Sequence, residues 1–270
     1  MVEEGVTLEY DERGIAVLTL NRPERRNALS LELIAVLLRC LDELDENRAV
    51  RVIVLASTGT VFSSGHDLKE IANPRDFEHE QIFSLCIDLV TRLQRFRVPV
   101  IAEVQGPAVA AGCQLVASCD LAVASEQALF STPGVRIGLF CTTPMVPLSR
   151  TIGPKRALEM LYTGKAIDAR TAERWGLVNY VVSLDQLRST TWELALQIAQ
   201  VSPAAIKSGK QAFFSELDLS YCDAYQDARL RMVHDAKTPD AIEGVDAFLS
   251  KRKPQWPSGS SEEPSCIGEG

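Results

Sequence analysis

The chain of 270 residues lacks a basic surplus: 28 Lys and Arg stand against 36 Asp and Glu, for a formal charge of -8 and a pI near 5.1. Neutralising nucleic-acid phosphates takes a basic surface, so this balance argues against nucleic acid as a partner. Metal chemistry lacks its usual signature too. The seven cysteines, Cys40, Cys86, Cys113, Cys119, Cys141, Cys222 and Cys266, are odd in number and mostly sit in apolar runs, and neither a CxxC nor a Cys/His cluster with zinc spacing occurs. That pattern predicts reduced thiols and no metal site. The acidic start "MVEEGVTLEYDERG" shows no signal-peptide apolar stretch and no Arg-rich presequence. The apolar runs fall short of the ~20 residues that a membrane-spanning helix needs. Together these absences predict a cytosol-like setting; the mitochondrial matrix also fits if a presequence lies outside this chain. A fixed-period repeat is missing as well.

What is present is ordinary globular composition, 46% hydrophobic and 24% charged. "GVTLEYDERGIAVLTLNRP" alternates apolar and polar residues on both sides of "DERG", which predicts a hairpin ending at Pro23. "SLELIAVLLRCLDELDEN" has helical spacing with Ser30 as its N-cap. "VRVIVLAS", "PVIAEVQG" and "DLAVAS" are short, β-branched and nearly all apolar, with helical segments between them. Strands of that kind form a parallel sheet covered on both faces, so the chain is α/β. From about Thr151 the pattern turns to successive helices with one short strand, Tyr180 to Val182. The final helix is stopped by Pro254, and residues 257–270 have too little apolar content to order themselves.

Two glycine-containing loops follow buried strands. One is "VFSSGHDLKE"; the other opens the helix in "GPAVAAGCQLVASCDLAVAS". A helix start exposes unpaired N–H groups and the positive end of the macrodipole, and small residues let a ligand oxygen come close to them. A purely structural reading, in which the small residues only let the helix pack tightly, stays open from the loop alone. If the two strands are neighbours, both loops leave the sheet at the same end, where ligands bind in α/β folds.

Taken together, "LNRPERRNAL", "FSSGHDLKE", "PVIAEVQGPAVAAGCQLVASCDLAVAS", "ALEMLYTG", "AERWGLVNYVV" and "GVDAFLSKRKP" resemble the crotonase, or enoyl-CoA hydratase/isomerase, superfamily from about Val6 to Trp256. The resemblance implies a crotonase-type spiral of ββα units over residues 1–200, a C-terminal helical trimerisation region over 201–256, and assembly as a trimer or hexamer. It implies an acyl-CoA thioester as ligand, with coenzyme A entering as part of the substrate and no tightly bound cofactor. Carried over by position, the backbone N–H groups of His66 and Ala111 form an oxyanion hole; alanine at 111, where relatives often have glycine, is tolerable if its φ is negative. Arg25 to Ala28 and Ser63 to Leu68, with Ser64 and Asp67 among them, line the CoA, while Phe248 and Lys251 of the terminal "FLSKRKP" reach a neighbouring subunit's nucleotide.

The same register puts Gln114 and Gly134 where hydrating relatives carry glutamates, and Thr142 where some isomerases and dehalogenases carry an aspartate. A neutral amide orients water but is no general base near pH 7, and glycine brings no side chain. Cys141, Thr142 and the His66 ring remain as polar candidates, and Asp67 and Asp120 suit turn capping or backbone N–H binding better than proton abstraction. The reading favours an acyl-CoA lyase or isomerase with weak hydratase activity over a carrier or assembly partner that binds acyl-CoA without turnover.

Overall fold

A computed structural model gives the fold of residues 2–3, 5–72 and 76–259. Strand β1 (Val2–Glu3) precedes the expected hairpin of β2 (Val6–Tyr10) and β3 (Ile15–Leu20). Its turn is closed by Gly14 N–H to Asp11 O at 3.0 Å, and Gly14 takes φ +85°, a left-handed conformation that glycine adopts without steric cost. After β3 comes helix α1 (Leu31–Glu46), capped as expected by Ser30, whose hydroxyl accepts the Leu33 N–H.

The chain then spirals. Strand β4 (Val52–Ser57) leads to α2 (Leu68–Ile71) and α3 (Asp76–Arg95); β5 (Val100–Val104) leads through β6 (Ala108–Val109) to α4 (Ala111–Ser118); β7 (Leu121–Ser125) leads through β8 (Leu129–Ser131) to α5 (Thr142–Thr151). Then follow α6 (Pro154–Thr163), β9 (Ile167–Asp168), α7 (Ala169–Trp175), β10 (Tyr180–Val182), α8 (Leu184–Ala199), α9 (Pro203–Glu216), α10 (Tyr221–Asp235) and α11 (Pro239–Leu249).

Each turn of the spiral gives one strand to a large sheet and a shorter extended piece to a small one. The large sheet runs β1-β2-β3-β4-β5-β7-β10, parallel from β3 onward. The small sheet runs β6-β8-β9 and is extended by the bridges Leu29↔His66 and Ser63↔Ala108. This is the expected α/β spiral. Its turns begin at Ile15, Val52, Val100 and Leu121, an uneven spacing, which is why no fixed period shows in the sequence.

Strand alternation sorts the apolar residues onto two faces. Ile53 and Leu55, with Val100, Ala102 and Val104, face the main core under α1, α3 and α4, whereas Val52, Val54, Ile101 and Val123 face α8 through Leu187 and Ala195. The α8 side also buries Glu103, which Arg188 meets at 3.4 Å; burial raises its carboxyl above the usual range. No helix among the described residues is long and apolar enough to cross a membrane.

The C-terminal helices are held differently. Neither α9 nor α10 contains a fully buried residue, yet they expose Phe213, Tyr221, Tyr225 and Met232. What fastens α9 to the core is Lys210. Its ammonium donates to Leu93 O and Val98 O at 3.0 Å each and to Asp120 Oδ2 at 2.7 Å, and Asp120 also accepts the Val100 N–H at 2.7 Å, the backbone role expected for it. Pro257–Gly259, placed by the sequence in an unordered stretch, forms an anchored turn: Ser258 binds Asp240 through its N–H, at 2.9 Å, and its hydroxyl. The remainder of that tail, Cys266 included, lies outside the described residues.

The two side chains of the Lys210–Asp120 pair are only 7% and 15% exposed. Lys210→Met therefore leaves a buried carboxylate and two carbonyls unmatched, and a loss of about 3–5 kcal/mol is expected in urea unfolding at fixed protein concentration. A loss below about 1 kcal/mol would show that the pair does not fasten α9.

Candidate functional site

The loop after β4 and the start of α4 meet at glycine. Strands β4 and β5 are parallel neighbours, so both segments leave the sheet at the same end. Gly65 has φ +86°, and a Cβ there would lie 2.8 Å from Val109 O and 3.1 Å from Ala111 N, so no larger residue fits between the two segments. On the other edge of this loop, Leu29 N–H donates to Gly65 O at 2.8 Å and Asp67 N–H to Leu29 O at 3.3 Å. That pairing uses the residues on either side of His66 and turns the His66 N–H away. Ala111 is the first residue of α4, where an N–H has no partner within the helix. Among the described residues, neither the His66 nor the Ala111 N–H has an acceptor. Two uncommitted donors thus sit on touching segments, at the positive end of a helix whose eight residues are all buried.

The scaffold behind them is polar and fully committed. Asn27, 0% exposed, donates to Thr58 O and Val61 O at 2.9 Å each and accepts the Arg22 N–H at 2.8 Å. It holds a stretch in which Arg26 (φ +53°) and Asn27 (φ +50°) are both left-handed. Ser63 is equally buried, its hydroxyl donating to Asn27 O at 2.9 Å, so it lends the site the position of a loop rather than a side-chain contact. Ser64 N–H bonds Arg26 O at 3.0 Å, which completes the stitching of 25–28 to 63–68. Gly112 packs onto Ser63, where a Cβ would run into the Ser63 carbonyl.

Left-handed backbone also occurs at Ala110 (φ +50°, ψ -115°), while Ala111 is free of positive φ, as its expected role requires. Such a conformation costs an alanine about 1–3 kcal/mol. It is held by the Ala110 N–H to Ser131 O at 2.8 Å and by the Gln114 N–H to Ala110 O at 3.0 Å.

Side chains around the helix start are neutral. Gln114 is 2% exposed, and its Oε1 has no hydrogen-bond partner among the described residues. Gly134 lies in the turn Pro133–Ile137; a Cβ there would strike the Leu139 carbonyl oxygen and sit 2.7 Å from Cys141 Sγ. The turn is closed by Leu139 N–H to Gly134 O at 3.0 Å. Burial raises the Cys141 thiol, with the Gly134 backbone opposing, and pushes Cys113 up to about 12, so neither is a thiolate near neutrality. Thr142 is exposed at the start of α5. The His66 ring meets Phe83 edge to face at 5.5 Å. Burial lowers its pKa, opposed by the Leu29 backbone, and neither ring nitrogen makes a hydrogen bond of normal geometry among the described residues. It is a neutral imidazole at pH 7.

Arg25 and Leu68 are exposed and Ala28, Ser64 and Asp67 half-buried, so the stitched segments present these positions at the surface. Asp67 caps α2 by accepting the Lys69 N–H at 2.9 Å. Phe248, 82% exposed, and Lys251 lie elsewhere: α11 packs on α9 and the Pro257–Gly259 turn. In the terminal "KRK", Arg252 is tied to Glu243 at 2.6 and 2.8 Å and to Asp246 at 2.6 Å, leaving Lys251 and Lys253 exposed. A cavity of about 900 Å³ lies at the far end of α4, lined by Ser118, Asp120 and Lys210 rather than by His66 or Ala111. Sequence reading missed Asn27 as the residue organising the loops, although asparagine's tolerance of positive φ was its available signal.

Residues 10–259 match the family model described as enoyl-CoA hydratase/isomerase. The mitochondrial enoyl-CoA hydratase domain-containing protein 3 of Xenopus laevis is 46% identical over 253 residues, 93% of this chain and 86% of that protein. Among solved structures, an enoyl-CoA hydratase of Mycobacterium smegmatis superposes with a TM-score of 0.91 at 45% identity, covering 94% of this chain and 99% of the other. Human enoyl-CoA hydratase domain-containing protein 3 gives 0.91 at 41% identity, covering 93% and 100%.

Two substitutions test the backbone argument in opposite directions. Ala110→Gly relieves about 1–3 kcal/mol of strain against about 0.5–1 kcal/mol of added chain entropy, for a net gain of about 1 kcal/mol. Gly134→Ala overpacks the turn and is expected to lose about 1–3 kcal/mol. Thermal unfolding reads both, and a stabilised Gly134→Ala would refute the packing described.

Proposed function

Because the chain belongs to the enoyl-CoA hydratase/isomerase family, we propose that it binds an acyl-CoA thioester and stabilises its enolate through the N–H groups of His66 and Ala111. The observation that carries this is the pair of uncommitted donors on touching segments at the N-terminus of buried α4. Negative charge developing on a thioester oxygen gains from both hydrogen bonds and from the macrodipole. Arg25, Ala28, Ser64, Asp67 and Leu68, on the stitched segments that carry the His66 N–H, are assigned to the CoA.

Hydration of a 2-enoyl thioester is slow in this reading, because Gln114 and Gly134 give no carboxylate and general acid–base groups each contribute ~10²–10⁴-fold. The neutral imidazole of His66 is the group available to accept an α-proton, since Cys141 stays protonated. Enolisation and isomerisation suit such a site better than addition of water. Binding without turnover is the second reading, favoured by the steric closure at Gly134, which bars a side chain from that position.

The exposed apolar faces of α9 and α10 support self-association as a trimer or hexamer, with Phe248 and Lys251 of α11 reaching a neighbour's nucleotide. A reducing compartment, cytosol or mitochondrial matrix, is the proposed setting; the relatives above from Xenopus laevis and, in the same series, from mouse carry mitochondrial names.

Removing the thioester oxygen tests the oxyanion assignment. Butyryl-CoA should bind about 30- to 150-fold more tightly than its S-butyl thioether, which lacks the carbonyl, given about 1–1.5 kcal/mol for each of two hydrogen bonds. Ala111→Pro should narrow that ratio, with a thermal melt confirming the fold; equal binding of both compounds to the wild type would sink the assignment. For assembly, light scattering at micromolar concentration should give three or six times the mass of one chain. A monomer would contradict it.

A further inference from the structure

The peptide between Ala110 and Ala111 carries the N–H that opens α4, and the two alanines act on its orientation in opposite ways. Ala110 has φ +50° and ψ -115°, while Ala111 is free of positive φ. Positive φ followed by negative φ is the backbone of a type II′ turn, and turning over the one peptide between the two residues gives the type I′ pair, with positive φ at both. The reversed peptide would point the Ala111 N–H away and bring the Ala110 carbonyl oxygen to where the donor stood. Ala110 favours that reversal: at its φ, the small region open to a residue with a β-carbon has ψ of roughly +30° to +60°. Its N–H bond to Ser131 O belongs to the preceding peptide and survives either way. Across the gap stands Gly65, which brings no side chain to brace the peptide from that side. Two things oppose reversal. The Ala110 carbonyl would lose the Gln114 N–H, now at 3.0 Å, and Ala111 would be forced to positive φ, which its β-carbon resists.

We propose that the side chain of Ala111 is a positioning group: its β-carbon keeps the 110–111 peptide from turning over and so holds the Ala111 N–H toward the thioester oxygen. This rests on the acyl-CoA reading above and adds what keeps the donor aimed before a ligand arrives. A glycine at 111 keeps the N–H and removes the restriction on φ. The free protein then divides between the two peptide orientations, and only one of them receives an oxyanion; the other presents a carbonyl oxygen that repels it.

The test measures butyryl-CoA and its S-butyl thioether by calorimetry on the full chain, in the wild type, Ala111→Gly and Ala110→Gly. The thioether makes no use of the donors, so reversal of the peptide lowers the affinity for the thioester alone, in proportion to the fraction of chains still in the competent orientation. Ala111→Gly is expected to reduce the thioester-to-thioether ratio about three- to tenfold and to leave the thioether affinity in place. Ala110→Gly removes a methyl from the same turn but accepts ψ -115° without strain, so it should hold the ratio. General loosening of the turn would instead act on both variants alike. An unchanged ratio in Ala111→Gly, or an equal fall in the two variants, overturns the positioning role; a high wild-type ratio alongside either result leaves the acyl-CoA reading standing. A wild-type ratio near one removes both.

Discussion

The contact between Gly65 and the start of α4 is the constraint around which the site is built. A single Cβ at position 65 would collide with Val109 O and Ala111 N, so the loop after β4 and the helix after β5 approach more closely than any residue but glycine allows. That approach requires β4 and β5 to be parallel neighbours in one fixed register, since a slip of one residue would turn every side chain of a strand to the other face. The register in turn depends on the division of Val52 and Val54 from Ile53 and Leu55 between two cores. Packing on both sides of the sheet is thus what holds two backbone N–H groups on adjoining segments.

The donors stay uncommitted because other groups carry the structural hydrogen bonds. Leu29 engages Gly65 and Asp67, Ser63 engages Asn27, and Ala110 bonds Ser131, leaving His66 and Ala111 between satisfied neighbours. Strain at Ala110 belongs to the same arrangement: the backbone must turn sharply there for the first N–H of α4 to face the loop. At the other end of α4, Lys210 and Asp120 tie the C-terminal helices to the core, so the region that exposes the apolar faces is joined to the helix that carries the site.

Much of this was legible in the sequence. Alternation of apolar residues marked the hairpin, Ser30 marked the start of α1, and the short apolar strands separated by helices marked a buried parallel sheet. The pairing of "SSGHD" with "VAAGC" pointed to a shared strand end, which the β4–β5 pairing bears out. Other features depend on contacts far apart along the chain. Nothing near Lys210 announces that its partners are Leu93, Val98 and Asp120, and nothing in "STPGVRIGLFC" announces that Leu139 folds back over Gly134. The order in Pro257–Gly259 was illegible for the same reason: a polar, glycine-rich stretch reads as a tail until Asp240, distant in sequence, supplies its hydrogen bonds.

The closure at Gly134 bears on how the neutral site is to be understood. A position that merely lacked a side chain would leave a gap. Instead the turn is drawn tight, with Leu139 N–H bonded to Gly134 O and the Leu139 carbonyl and the Cys141 sulfur filling the space that a Cβ would need. Cys141 is buried and protonated there, as a packing residue would be. Any side chain at 134 therefore means rebuilding the segment from 134 to 141, whereas Gln114 on α4 keeps a buried amide oxygen that has no partner among the described residues. One position is closed and the other holds an open hydrogen-bonding group.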